Sequence, residues 1–73
     1  MKKQFRIEGL DCANCAAKME RGIAALDGVT SATVNFMLAK LTIEGDDAKM
    51  PQIIAEAEKI VSKVEPDAAL KKL

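Results

Sequence analysis

Apolar and polar residues alternate near the start of the chain, where Phe5 and Ile7 stand between Gln4, Arg6 and Glu8. A period of two predicts a half-buried strand over roughly 3–8, ended by Gly9. The period then lengthens. Ala16, Met19, Ile23 and Leu26 recur at steps of three and four, which predicts a helix from Cys12 to Leu26 with Lys18, Glu20 and Arg21 on its solvated side. Asp27-Gly28 closes that helix, because glycine accepts the left-handed backbone found just past a helix end. Alternation returns at Ala32, Val34 and Phe36, and again at Leu41 and Ile43. These read as a second and a third strand, joined by a hairpin at about Met37 to Ala39. Gly45-Asp46-Asp47 breaks the pattern, and Pro51 suits a first helical position. Ile53, Ile54, Ala57, Ile60 and Val61 then form the apolar stripe of a second helix. The tail from Val64 to Leu70 supplies a short last strand, which Pro66 confines to an edge or a bulge, and Lys71 to Leu73 are expected to fray.

The order is β-α-β-β-α-β. It predicts an α+β, ferredoxin-like sandwich, a four-stranded antiparallel sheet with two helices on one face. The 73 residues form a single domain, ordered over about 3–70.

Composition narrows what such a domain can do. Eleven Lys and Arg balance eleven Asp and Glu, and there is no Trp or Tyr. Nucleic acid is therefore not expected as a partner, since neither excess positive charge nor a stacking platform is present. The absence of histidine removes Ser-His-Asp and Cys-His nucleophiles, histidine bases and the common zinc motifs that depend on it. An enzyme is not expected, and no catalytic residue is assigned. No apolar run approaches the about 20 residues of a membrane span, and the first residues lack a signal-type apolar core. The expected compartment is the cytoplasm, where a close cysteine pair binds metal or does redox work more often than it forms a structural disulfide.

The distinctive chemistry lies in Gly9-Leu10-Asp11-Cys12-Ala13-Asn14-Cys15. Two thiols three positions apart straddle the strand-to-helix junction and can converge on one ion. The amide groups and dipole of the helix start are expected to favour thiolate, the form that binds metal. Two sulfurs alone suit Cu(I) or Hg(II). Asp11 offers a harder third donor, or else a helix cap. As a donor it tips the site toward Zn(II), Cd(II) or Pb(II), because two thiolates and a carboxylate leave one net negative charge over a divalent ion and two over a monovalent one. Met19 belongs to the core stripe. Met1, Met37 and Met50 have no methionine or histidine neighbours at ligand spacing, so a methionine copper site is not expected.

The run from Gly9 to Glu20 resembles the Gly-[Met or Leu]-x-Cys-x-x-Cys signature of heavy-metal-associated domains. Gly28-Val29 followed by Ala32-Thr33-Val34-Asn35-Phe36 resembles a second stretch of the same family. The resemblance implies the βαββαβ fold and a role as a free metallochaperone or as the N-terminal metal-binding module of a metal-exporting P-type ATPase. Asp before the first cysteine resembles the zinc, cadmium and lead ATPases, where it is a ligand beside both cysteines. The ending Ile60 to Asp67 also resembles cadmium-type members and lacks the Gly-Tyr or Gly-Phe of copper ones. The implied ligands are thus Asp11, Cys12 and Cys15, with Cu(I) less favoured. The implied partners are a metal donor or other domains of the transporter, with the membrane reached only through that parent protein and the domain at its cytoplasmic face. Competing readings are a free chaperone for Cu(I) or Hg(II) and, in another class, a small thiol–disulfide oxidoreductase.

In such a fold the loop after the first strand, the hairpin and the loop after the second helix share an end. Phe36, Met37 and Leu38 would then sit beside the cysteines, as a docking or self-association patch or as plain packing over the hairpin. Lys63, at the same end, is a candidate countercharge.

Overall fold

The computed structural model describes residues 2–10 and 12–72. Strand β1 (Lys2–Glu8) leads into helix α1 (Ala13–Ala24), then β2 (Val29–Asn35), β3 (Lys40–Gly45), a single 3-10 turn (Asp47–Lys49), helix α2 (Met50–Val64) and β4 (Ala69–Lys72). The strands form one antiparallel sheet in the order β2-β3-β1-β4. This is the expected ferredoxin-like α+β architecture, with both helices on one face.

The period-two pattern works as burial. Phe5 and Ile7 of β1 and Leu41 and Ile43 of β3 point to the helices and are buried, while Lys2, Gln4, Arg6, Lys40 and Thr42 fall on the other face. From above, α1 contributes Ala16, Met19 and Ile23, and α2 contributes Met50, Ile53, Ala57 and Val61. Met19 is fully buried in the core. The helices meet closely where Gly22 faces Ile60; a Cβ at Gly22 would lie 3.1 Å from that side chain.

Four boundaries differ from the sequence expectation, each for a local reason. Phe36 falls in the hairpin turn rather than in β2, because Asn35 Oδ1 accepts from the Leu38 amide at 3.1 Å and folds the chain there. Ala39 takes a left-handed φ of 51° to complete that turn. Helix α2 runs to Val64, so β4 begins at Ala69, and Pro66 occupies the connecting turn. Lys71 and Lys72 are not a frayed end but ladder partners of Arg6 and Phe5. Leu73 lies outside the described residues. Finally, α1 ends at Ala24, with Ala25 as its cap, two residues short of Leu26.

Glu20 also departs from expectation. Its carboxylate is not merely solvated: it accepts from the Val34 amide at 2.8 Å, fastening α1 to the outer edge of β2. An edge strand with open amide groups is a template for unwanted pairing, and this bond closes one of them.

Candidate metal centre

Cys12 is the N-cap of α1, in extended conformation (φ −139°, ψ 127°), and its carbonyl receives the Ala16 amide at 3.1 Å. Cys15 follows in the first turn. Residues at i and i+3 share a helix side, so both sulfurs lie over the same end of α1. Neither cysteine is in a disulfide, both are half-buried, and Cys15 is hydrogen-bonded to Cys12. The two residues between them, Ala13 and Asn14, are exposed. The Cys12 side chain makes no cap bond to the first-turn amides of this helix.

Gly9 makes the approach to the loop possible. It has a φ of +81°, and a Cβ there would lie 2.5 Å from the Asp67 carbonyl oxygen and 3.2 Å from the Ala68 Cα. Only glycine lets the α2–β4 connection pass so close to the end of β1. Leu10 packs against the core from the next position. Asp11, the expected third donor, lies outside the described residues. Among the described residues no group of three His, Cys, Asp or Glu side chains gathers tightly enough to hold an ion.

The close α2–β4 connection brings in a residue that the sequence pattern did not single out. Glu65, the C-cap of α2, turns its negative charge on Cys15. Its carboxylate also accepts from the Asp67 amide at 3.3 Å. Glu65 and Cys15 are fifty positions apart, and only the packing of the connection over Gly9 unites them.

The thiol electrostatics correct one expectation. Helix-start effects were expected to favour thiolate, yet burial pushes the Cys15 thiol above its ordinary value. The hydrogen bond that the Cys15 thiol donates to Cys12, the Cys12 charge and the Glu65 carboxylate add to the rise. The cation that pulls the other way is Lys18, one turn along α1, rather than Lys63. Lys63 lies on the outer side of α2 with Glu58, Lys59 and Ser62.

The hairpin shares this end of the molecule. The Ile7 amide donates to the Ala39 carbonyl at 2.7 Å, pinning the turn two residues before Gly9. Phe36, Met37 and Leu38 are its exposed crest, with Met37 88% exposed.

The sequence profile of the heavy-metal-associated domain matches residues 4–71. The chain belongs to that family. As a member it is a metal-binding module and not an enzyme. It is 31% identical over 71 residues to a cadmium, zinc and cobalt-transporting ATPase of Bacillus subtilis, covering 97% of this chain and 10% of the relative. It is 49% identical over 45 residues to a probable cadmium-transporting ATPase of Listeria monocytogenes, covering 62% of this chain and 6% of the relative. Among solved structures, the N-terminal domain of a potential copper-translocating P-type ATPase from Bacillus subtilis, in its Cu(I)-loaded state, superposes with a TM-score of 0.76. Identity there is 33%, over 97% of this chain and 84% of that one. Cadmium- and copper-named relatives thus both stand near this chain, which spans a tenth or less of the two ATPases' length. No helix among the described residues is long and apolar enough to cross a membrane.

Proposed function

We propose that this domain is the cytosolic metal-binding module of a heavy-metal-exporting P-type ATPase. Its cargo is Cd(II), Zn(II) or Pb(II), held by Cys12, Cys15 and Asp11. The observation that carries the reading is the pair of reduced, hydrogen-bonded thiols at the start of α1, with small exposed residues between them. A site so open to solvent suits transfer by ligand exchange. An incoming thiolate joins the ion before an outgoing one leaves, and the displaced thiolate regains a proton. A closed tetrahedral cage would suit a structural ion instead.

Charge supports a divalent cargo. Glu65 adds a second carboxylate to the surroundings of Cys15, beside the one that Asp11 would bring. Two thiolates with nearby carboxylates leave less uncompensated charge over a divalent ion than over Cu(I). A Cu(I) cargo is the second reading, favoured by the likeness to the Cu(I)-loaded domain. Phe36, Met37 and Leu38 then form the apolar contact for the receiving domain or for a second copy, since any partner reaching the thiols meets this crest.

A competition titration with Zn(II), Cd(II), Pb(II) and Cu(I), on wild type and Asp11→Ala, tests the assignment. The divalent reading expects a large loss of Zn(II) affinity and little change for Cu(I). Unchanged affinity for all four ions removes Asp11 from the ligand set, and a Cu(I) preference in wild type favours the second reading. Replacing Met37 and Leu38 by Ser should weaken transfer to a partner domain while leaving metal affinity alone; unchanged transfer would sink the patch.

A further inference from the structure

On the face of the sheet away from the helices, three cations stand in a row. The register sets Lys40 of β3 opposite Arg6 of β1, and Arg6 opposite Lys71 of β4. With neighbouring strands about 4.8 Å apart, the outer two are about 10 Å from each other. Lys2 lies further along the same face, opposite Glu44, and Glu8 lies beyond Arg6. Among the described residues, Arg6, Lys40 and Lys71 make no ion pair and no side-chain hydrogen bond. Like charges directly opposite one another destabilise a sheet. Elsewhere on this face no like charges stand opposite one another: Lys2 faces Glu44, and Gln4 and Thr33 face Thr42. The row therefore costs the isolated domain something and returns nothing inside it.

We propose that this row docks the domain, sheet face down, on an anionic lipid surface. The outward positions around it carry no large apolar side chain. A protein interface draws most of its affinity from buried anchors, which this face lacks apart from the row itself. A headgroup layer needs only charge, gaining about fivefold in partition for each basic residue at the surface. Arg6 and Lys40 also stand at the cysteine end of the sheet, where the Ile7 amide holds Ala39. A domain lying on this face keeps its thiols at the membrane surface, with both helices and the hairpin crest free for a partner. The inference rests on the transporter-module reading, which keeps an anionic leaflet within reach.

The test is co-sedimentation of the 73-residue protein with phosphatidylglycerol–phosphatidylcholine vesicles and with pure phosphatidylcholine vesicles. Binding is expected only to the anionic vesicles and should fall as salt is added. Arg6→Gln should weaken it about fivefold, and the triple change R6Q/K40Q/K71Q should abolish it. Lys59→Gln, on the solvent side of α2, should leave it unchanged. Arg6→Gln should melt no lower than wild type, since it relieves repulsion; if it does melt lower, Lys71→Gln supplies the same comparison. Equal binding to neutral vesicles, no binding at all, or an equal loss in Lys59→Gln overturns the proposal. Capture by polyglutamate without capture by vesicles overturns it in favour of an acidic protein partner. A Cd(II) titration of the same sample separates the two readings. Intact metal binding without vesicle binding removes only the docking face, whereas absent metal binding removes the proposed function itself.

Discussion

The fold contains two strand-to-helix junctions, at opposite ends of the antiparallel pair β1 and β3, and they are finished differently. At the second, Asp46 Oδ1 accepts from the Ala48 amide at 3.0 Å and its carbonyl accepts from the Lys49 amide at 3.1 Å. Pro51 then occupies a first-turn position that needs no amide partner. Lys49 completes the corner by pairing with Asp27 at 2.9 Å, and that carboxylate holds its ammonium above the ordinary lysine value. At the first junction the cap position carries the Cys12 thiol, which makes no cap bond to the helix amides. One junction satisfies its own backbone. The other places the proposed ligands Cys12 and Cys15 at its cap and first turn, so on that reading the same architectural corner serves stability in one half and binding in the other.

Removing a thiol should give the largest effect. Cys15→Ser and Cys12→Ser each delete one of two sulfur donors, so ion affinity should fall by more than the about 10–100-fold that losing an outer partner costs. Circular dichroism and melting temperature should change little, because both cysteines are only half-buried. If Cys15→Ser instead unfolds the protein while Cys12→Ser retains its affinity, the first junction is structural after all and the contrast collapses.

Glycine substitutions sharpen the same contrast. Gly9→Ala must place a Cβ 2.5 Å from the Asp67 carbonyl oxygen at a φ of +81°. It should cost about 2–3 kcal/mol and also lower metal affinity, because the displaced connection carries Glu65. Gly28→Ala at the other end has a comparable φ of +90°, but its Cβ meets the flexible Lys49 side chain at 2.7 Å. It should cost less, about 1 kcal/mol, and leave metal affinity unchanged. Urea unfolding paired with a Cd(II) titration reads both quantities.

That pairing shows what could be read from the chain alone. The strands, both helices and the cysteine loop were legible because hydrophobic period and glycine position act locally. The start of β4 was not, because Val64 continues the apolar stripe of α2 and only the packed end of the helix says where the turn begins. Glu65 and Glu20 were also hidden. Each is an ordinary charged residue by pattern, and each acquires its role from a segment distant in sequence: the loop over Gly9 in one case, the edge of β2 in the other. Lys63 was a candidate countercharge because of its end of the fold, but it lies on the outer side of α2, and Lys18 is the cation that acts on Cys15.

The first junction should also respond to pH where the second does not. Because burial, Cys12 and Glu65 all raise the Cys15 thiol, it carries its proton at neutral pH and an incoming ion must displace it. Affinity should therefore climb with pH until the thiol's own value is passed, and fall as the solution is acidified, by about tenfold per unit for each proton displaced. Glu65→Gln removes one of the raising charges, so its affinity profile should shift toward lower pH. A profile identical to wild type would mean that the Glu65 charge does not reach the thiol.

The smallest effect belongs to the second junction. Asp46→Ala removes the side-chain acceptor for the Ala48 amide, and losing such a cap costs about 1 kcal/mol. The residue lies at the far end of the sheet from the cysteines, with Gly28 and Gly45 beside it. Asp46 accepts nothing from any group near the thiols, so the Cd(II) titration should not move while the urea midpoint falls. Restoring the acceptor as Asp46→Asn should recover most of the loss, since an amide oxygen can accept the same bond without the charge. If Asp46→Ala alters metal affinity as much as stability, the two junctions are coupled through the sheet, and treating one as support and the other as site is wrong.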